Sequence, residues 1–133
     1  MQREIKFRGK SKLNNEWLFG DLLRLGGNRT PCIFSDKDSI RDFNAHNGVV
    51  IPETTGQFTG LKDKNGVEIY EGDIFLLGDK TILYVVEWID SGFQGRQISN
   101  KSTVGLEYWQ DRIEIIGNIH DNPELINKIG KKE

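Results

Sequence analysis

Thr81-Ile82-Leu83-Tyr84-Val85-Val86-Glu87-Trp88 is the stretch that decides the fold class. β-Branched and aromatic side chains dominate it, and these fit the pleated surface of a sheet better than a helix. Gly78-Asp79-Lys80 precedes it and Asp90-Ser91-Gly92 follows it, so turn chemistry bounds the strand on both sides. Toward the C-terminus the pattern repeats. Phe93 to Ile98 reads as a weaker strand interrupted by Gly95, Val104 to Trp109 as another, and Ile113 to Ile119 as the last. Asn122-Pro123-Glu124 then opens a short helix ending before Gly130. Asn122 is a cap, Pro123 suits the first helical position, and Glu124 meets the positive end of the helix dipole.

Toward the N-terminus, Ile74 to Leu77 is a continuous apolar run. It is launched by the densest turn text in the chain, residues 59–75, which holds Asn65-Gly66 and Glu71-Gly72-Asp73 around Ile69 and Tyr70. Pro52-Glu53-Thr54-Thr55-Gly56 reads as a connector. Before it, Val49-Val50-Ile51 is a brief strand, and residues 35–48 are a polar loop, with room for one helical turn and Ile40, Phe43 and Ala45 as its only apolar anchors. Pro31 to Phe34 is a short strand. At the start, Ile5 and Phe7 alternate with Lys6 and Arg8, which predicts a half-buried strand with its apolar face inward. Asn14-Asn15 turns the chain into Glu16 to Leu23, with Trp17 and Phe19 on one face, Leu18 on the other, and a bulge or close backbone approach at Gly20. Short strands at this spacing predict a barrel or sandwich.

Composition agrees. The chain has 133 residues, with 36% hydrophobic and 29% charged, which suits one ordinary domain or two small lobes. The net charge of −2 gives no bulk drive toward nucleic acid or anionic membrane. The charge is uneven: residues 1–66 carry 11 Lys/Arg and 8 Asp/Glu, residues 67–133 carry 7 and 12. Lys6, Arg8, Lys10 and Lys12 crowd the first strand. They are either a charged edge that resists aggregation or a phosphate-facing surface. The single cysteine, Cys32, excludes an intrachain disulfide, and no apolar run is long enough for a membrane span or signal peptide. The expectation is a reducing cytoplasm.

The chemistry-bearing residues form no strong motif. Asp63, Glu68, Glu71 and Asp73 invite a metal, but aligning Gly66 with the glycine of a calcium loop puts Leu61 at the first ligand position and Gly72 where a bidentate Glu belongs. Cys32, His46 and His120 are too scattered for zinc. There is no phosphate-binding glycine loop and no nucleophile elbow. No cofactor is expected. Among the aromatics, Tyr108 and Trp109 are adjacent in a presumed strand, so one of them faces away from a single-sided core.

Several segments nevertheless resemble a known family. Ile5-Lys6-Phe7-Arg8-Gly9, Glu16-Trp17-Leu18-Phe19-Gly20-Asp21-Leu22, the run from Pro52 to Asp63, Glu68-Ile69-Tyr70-Glu71-Gly72-Asp73-Ile74 and the run from Ile116 to Leu125 are similar, in the same order, to the YopX family of phage and prophage proteins. The resemblance is most specific over residues 56–74. It implies a β-rich N-terminal part, a small SH3-type barrel after it, and an accessory protein of the host bacterial cell, with no catalytic residues to carry over. The expectation is therefore a mainly β chain: a β lobe over 1–52, and an SH3-like barrel with a short C-terminal helix over 53–133. Its expected role is a non-catalytic protein-interaction or scaffolding module, binding an unknown protein or itself, with Trp88 and Trp109 as candidate contacts. The alternatives are a nucleic-acid binder using Lys6, Arg8 and Lys10, and an enzyme using the acids of residues 63–73.

Overall fold

The computed structural model describes residues 4–35 and 44–130. The chain divides into two compact units, Met1–Phe58 and Thr59–Glu133. Among the described residues the strands form two antiparallel five-stranded sheets, one ordered Thr30–Ser35, Trp17–Leu25, Phe7–Lys10, Gly56–Lys62, Glu68–Tyr70 and the other Glu114–Asn118, Asp73–Leu76, Tyr84–Ile89, Gly92–Gln97, Thr103–Gly105, so the chain is mainly β.

In the first unit, β1 (Phe7–Lys10) pairs with β2 (Trp17–Leu25), placing Arg8 opposite Phe19 and Lys10 opposite Trp17. Asn15 takes the left-handed conformation (φ 65°) that the turn requires, a region Asn tolerates better than most residues. The Ser11 N–H closes the turn by donating to the Glu16 carbonyl at 2.8 Å. β3 (Thr30–Ser35) pairs with the other edge of β2, and the register runs through Gly20 without a bulge, the first of the two alternatives expected there. α1 (Ala45–Gly48) is one helical turn, capped by the Asn44 side chain, which accepts from the His46 N–H. Ile40 and Phe43 lie outside the described residues.

Residues 49–51 make only isolated bridges, Ser11 to Val50 and Cys32 to Val49, rather than the expected strand. A 3-10 turn at Pro52–Thr54 follows at once and leaves the segment too short for a ladder. Val50 is fully buried, and a Cβ added to Gly9 would lie 3.0 Å from its side chain. β4 (Gly56–Lys62) pairs with β1 through Gly56 and Gln57, and the division between the units falls inside β4.

In the second unit follow β5 (Glu68–Tyr70), β6 (Asp73–Leu76), β7 (Tyr84–Ile89), β8 (Gly92–Gln97), β9 (Thr103–Gly105), α2 (Leu106–Trp109), β10 (Glu114–Asn118) and α3 (Pro123–Gly130). The apolar run at β6 has a simple cause: the strand is buried on both faces. Phe75 joins Ile69, Val86, Leu106 and Ile113 on one side, while Ile74 and Leu76 join Leu83 and Val85 on the other, where Leu125 and Ile126 of α3 pack.

Four expectations change here. The strand starts at Tyr84, not Thr81, because Asp79 folds residues 79–82 into a turn: its carboxylate accepts from the N–H and hydroxyl of Thr81, and its carbonyl from the Ile82 N–H. Gly95 does not interrupt β8; it lets Phe75 approach, since a Cβ there would lie 2.4 Å from the Phe75 ring. Residues 106–109 are helical, and only 103–105 are strand. Asn122 turns its side chain back to accept from the Asn118 N–H at 3.1 Å.

Candidate functional site

The acidic stretch 63–73 is built inward. Asp63 is buried, with one carboxylate oxygen accepting from the N–H groups of Asn65 (2.8 Å) and Val67 (2.9 Å) and the other from Ile115 (3.0 Å). It thus holds the β4–β5 hairpin tip and fastens it to β10. Gly66 supplies the positive φ of that tip (84°). Asp73, also buried, accepts from the Tyr70 N–H at 2.7 Å, and Glu68 accepts from the Tyr70 hydroxyl at 3.0 Å. Carboxylates consumed by backbone donors satisfy the turn's orphan groups. Among the described residues no group of three or more His, Cys, Asp or Glu is placed to hold a metal.

Other candidates are similarly absorbed. Cys32 is fully buried, its thiol donates to the Ala45 carbonyl at 3.4 Å, and burial raises its pKa, which disfavours the nucleophilic thiolate. His46 is exposed beside Asn44, and the backbone N–H of His120 is taken by the Asn118 side chain.

Lys6, just before β1, and Arg8 and Lys10 within it do lie on one side of the chain. They stack on aromatics: Lys6 over Phe58 at 5.4 Å, Arg8 over Trp17 at 4.5 Å and Lys10 over Trp17 at 5.5 Å. The expected polarity of this strand is reversed, since Ile5 is 57% exposed while Arg8 is only 7% exposed. Long cationic stems cover the rings, whereas Ile5 lies before β1 begins and stays exposed. The Lys6 ammonium is also paired with Glu4 at 3.5 Å. Of the three cations Arg8 is thus the least accessible.

The open surface lies in the second unit. Leu106 anchors α2 in the core, and Trp109, one turn later, packs against the same cluster. This leaves Tyr108 on the outside, 83% exposed, with its ring edge-to-face on Trp109 at 5.1 Å. The 3-10 turn Gln110–Arg112 then carries Arg112 over the Trp109 ring at 5.8 Å. Two grooves share Trp109 and Arg112. One, of about 330 Å³, is completed by Tyr108 and Asp111; the other, of about 260 Å³, by Leu77, Asp79, Ile82, Tyr84 and Val104. Tyr84 is held in place by stacking on Phe75 at 5.1 Å. Hydrogen bonds from the Thr81 hydroxyl and N–H lower the pKa of Asp79 at the rim. Trp88, the other candidate aromatic, is 57% exposed and sits edge-to-face on Phe93 at 4.9 Å.

Of the residues singled out in the sequence, Trp109 therefore lies in a groove, Trp88 stands on β7 beside Phe93, and the three cations lie together in the first unit. Asp79, Ile82, Val104 and Arg112 escaped sequence reasoning. They come from segments far apart in the chain, and the i, i+3 spacing of Leu106 and Trp109, within a stretch that reads as strand, is the one local signal that could have led toward them.

The model of the YopX protein family matches residues 6–127. The chain belongs to the YopX family. Among solved structures, the crystal structure of protein EF1440 from Enterococcus faecalis is similar, with a TM-score of 0.55 and 26% identity, over 94% of this chain and 99% of that one. No curated protein matches the sequence. Among the described residues of this YopX family member, no helix is long and apolar enough to cross a membrane.

Proposed function

We propose that this YopX family member is a non-catalytic protein-interaction or scaffolding module of phage or prophage origin, acting in the cytoplasm of the host bacterium. The observation that carries this reading is Tyr108, 83% exposed, beside Trp109 at the junction of two grooves. Rigid aromatic side chains next to an arginine are the composition favoured at the centre of protein interfaces. The buried acids of residues 63–73 support a structural use of that stretch rather than an enzymatic one. Affinity capture from the prophage-bearing host, with nuclease treatment, tests the proposal. The expected result is a protein partner, or a second copy detected by sedimentation, that survives nuclease and is lost in Tyr108→Ala and Trp109→Ala but kept in Lys10→Ala. Capture that vanishes with nuclease, or that ignores both aromatic substitutions, contradicts it.

A further inference from the structure

Taking the groove to be an interaction surface, its lining also restricts what can occupy it. At about 260 Å³ the smaller groove is below the roughly 300–1,000 Å³ usual for enclosing a small molecule. It suits one or two side chains of a chain laid across it. Its floor is apolar, made by Leu77, Ile82, Tyr84, Val104 and Trp109, and its lining holds one fixed anion and one cation. The anion is Asp79, whose Oδ1 is clamped by both the N–H (2.8 Å) and the hydroxyl (2.6 Å) of Thr81. The cation is Arg112, which rests on the Trp109 ring and has no carboxylate within salt-bridge distance among the described residues. Asp79 and Arg112 therefore do not neutralise one another, and each retains hydrogen-bonding capacity for a partner.

We infer that the groove binds a linear protein segment in which an aliphatic or proline residue is flanked by a basic side chain directed at Asp79 and an acidic one directed at Arg112. A segment with two acidic flanks meets Asp79 unfavourably, and one with two basic flanks meets Arg112 unfavourably. Discrimination thus comes from repulsion as much as attraction. Exposed ion pairs of this kind each change affinity by about two- to fivefold.

The test uses four fluorescein-labelled, end-blocked octapeptides with a common Leu-Pro centre. Their flanks are Lys/Glu, Glu/Lys, Lys/Lys or Glu/Glu, and binding is followed by anisotropy at low salt. One of the two mixed peptides is expected to bind about two- to fivefold tighter than either like-charged one. In Asp79→Lys the Glu/Glu peptide becomes the best ligand, and in Arg112→Glu the Lys/Lys peptide does. Both positions are exposed, so these variants should fold, and circular dichroism checks that they do. If all four peptides bind equally and Tyr108→Ala abolishes binding, the charge inference falls while the interaction surface stands. If none binds, the inference is overturned, and the capture experiment with Tyr108→Ala decides the surface independently.

Discussion

The 63–73 turn and the Trp109 groove use the same kinds of residue to opposite ends. Both present an aspartate whose carboxylate accepts backbone hydrogen bonds, Asp63 in one and Asp79 in the other. Asp63 is 6% exposed, and both of its oxygens serve backbone N–H groups. Asp79 is exposed, and a single oxygen does all the local work. The arginines stacked on tryptophan differ in exposure, Arg8 being buried within a sheet face and Arg112 exposed at a groove. Charge identity alone does not mark a site. What matters is how much of the group the fold leaves open to a partner.

That comparison breaks most readily at Asp63. Asp63→Ala removes three hydrogen bonds to a buried carboxylate and should cost about 3–5 kcal/mol in urea unfolding, whereas Asp79→Ala should change stability little. Equal effects would erase the distinction. The arginines sharpen it next. Arg8→Ala loses packing as well as the cation–π contact and should cost about 2 kcal/mol, against less than about 0.5 kcal/mol for Arg112→Ala. Gly66→Val comes third. No neighbouring atom lies within 4 Å of an added Cβ there, so the cost is backbone strain alone, about 1–2 kcal/mol, and thermal unfolding should show a lowered midpoint with no loss of peptide binding.

The smallest effect is the titration of Asp79. Its pKa is lowered from 3.8, chiefly by the Thr81 hydroxyl. A carboxylate depressed in the folded state contributes stability at pH above its unfolded pKa and loses it as pH falls through the folded value. Carboxyl NMR should therefore place the Asp79 midpoint below 3.8, and Thr81→Val should move it upward.

Much of the strand plan was legible because period-two alternation and turn residues are local signals. Asn14-Asn15, Asn65-Gly66 and the β-branched run ending at Trp88 could be read without tertiary knowledge. The failures share a cause. Gly95 looked like an interruption because the Phe75 ring that requires it lies in another strand. Thr81 to Leu83 looked like strand because propensity does not register the Asp79 carboxylate that bends them away. Ile5 and Arg8 exchanged their expected exposures because the rings covered by the cations, Trp17 and Phe58, belong to other strands. The groove was least legible, since its lining is gathered from residues 77–84 and 104–112 and no local pattern joins them.

The most direct test of the central claim is chemical-shift mapping of the ¹⁵N-labelled chain titrated with the tighter mixed-charge octapeptide. Saturable shifts are expected at the Trp109 indole and at Leu77, Ile82, Val104 and Arg112, with Asp63 to Asp73 unmoved. Shifts concentrated at Asp63 to Asp73, or along Lys6 to Lys10, would contradict it.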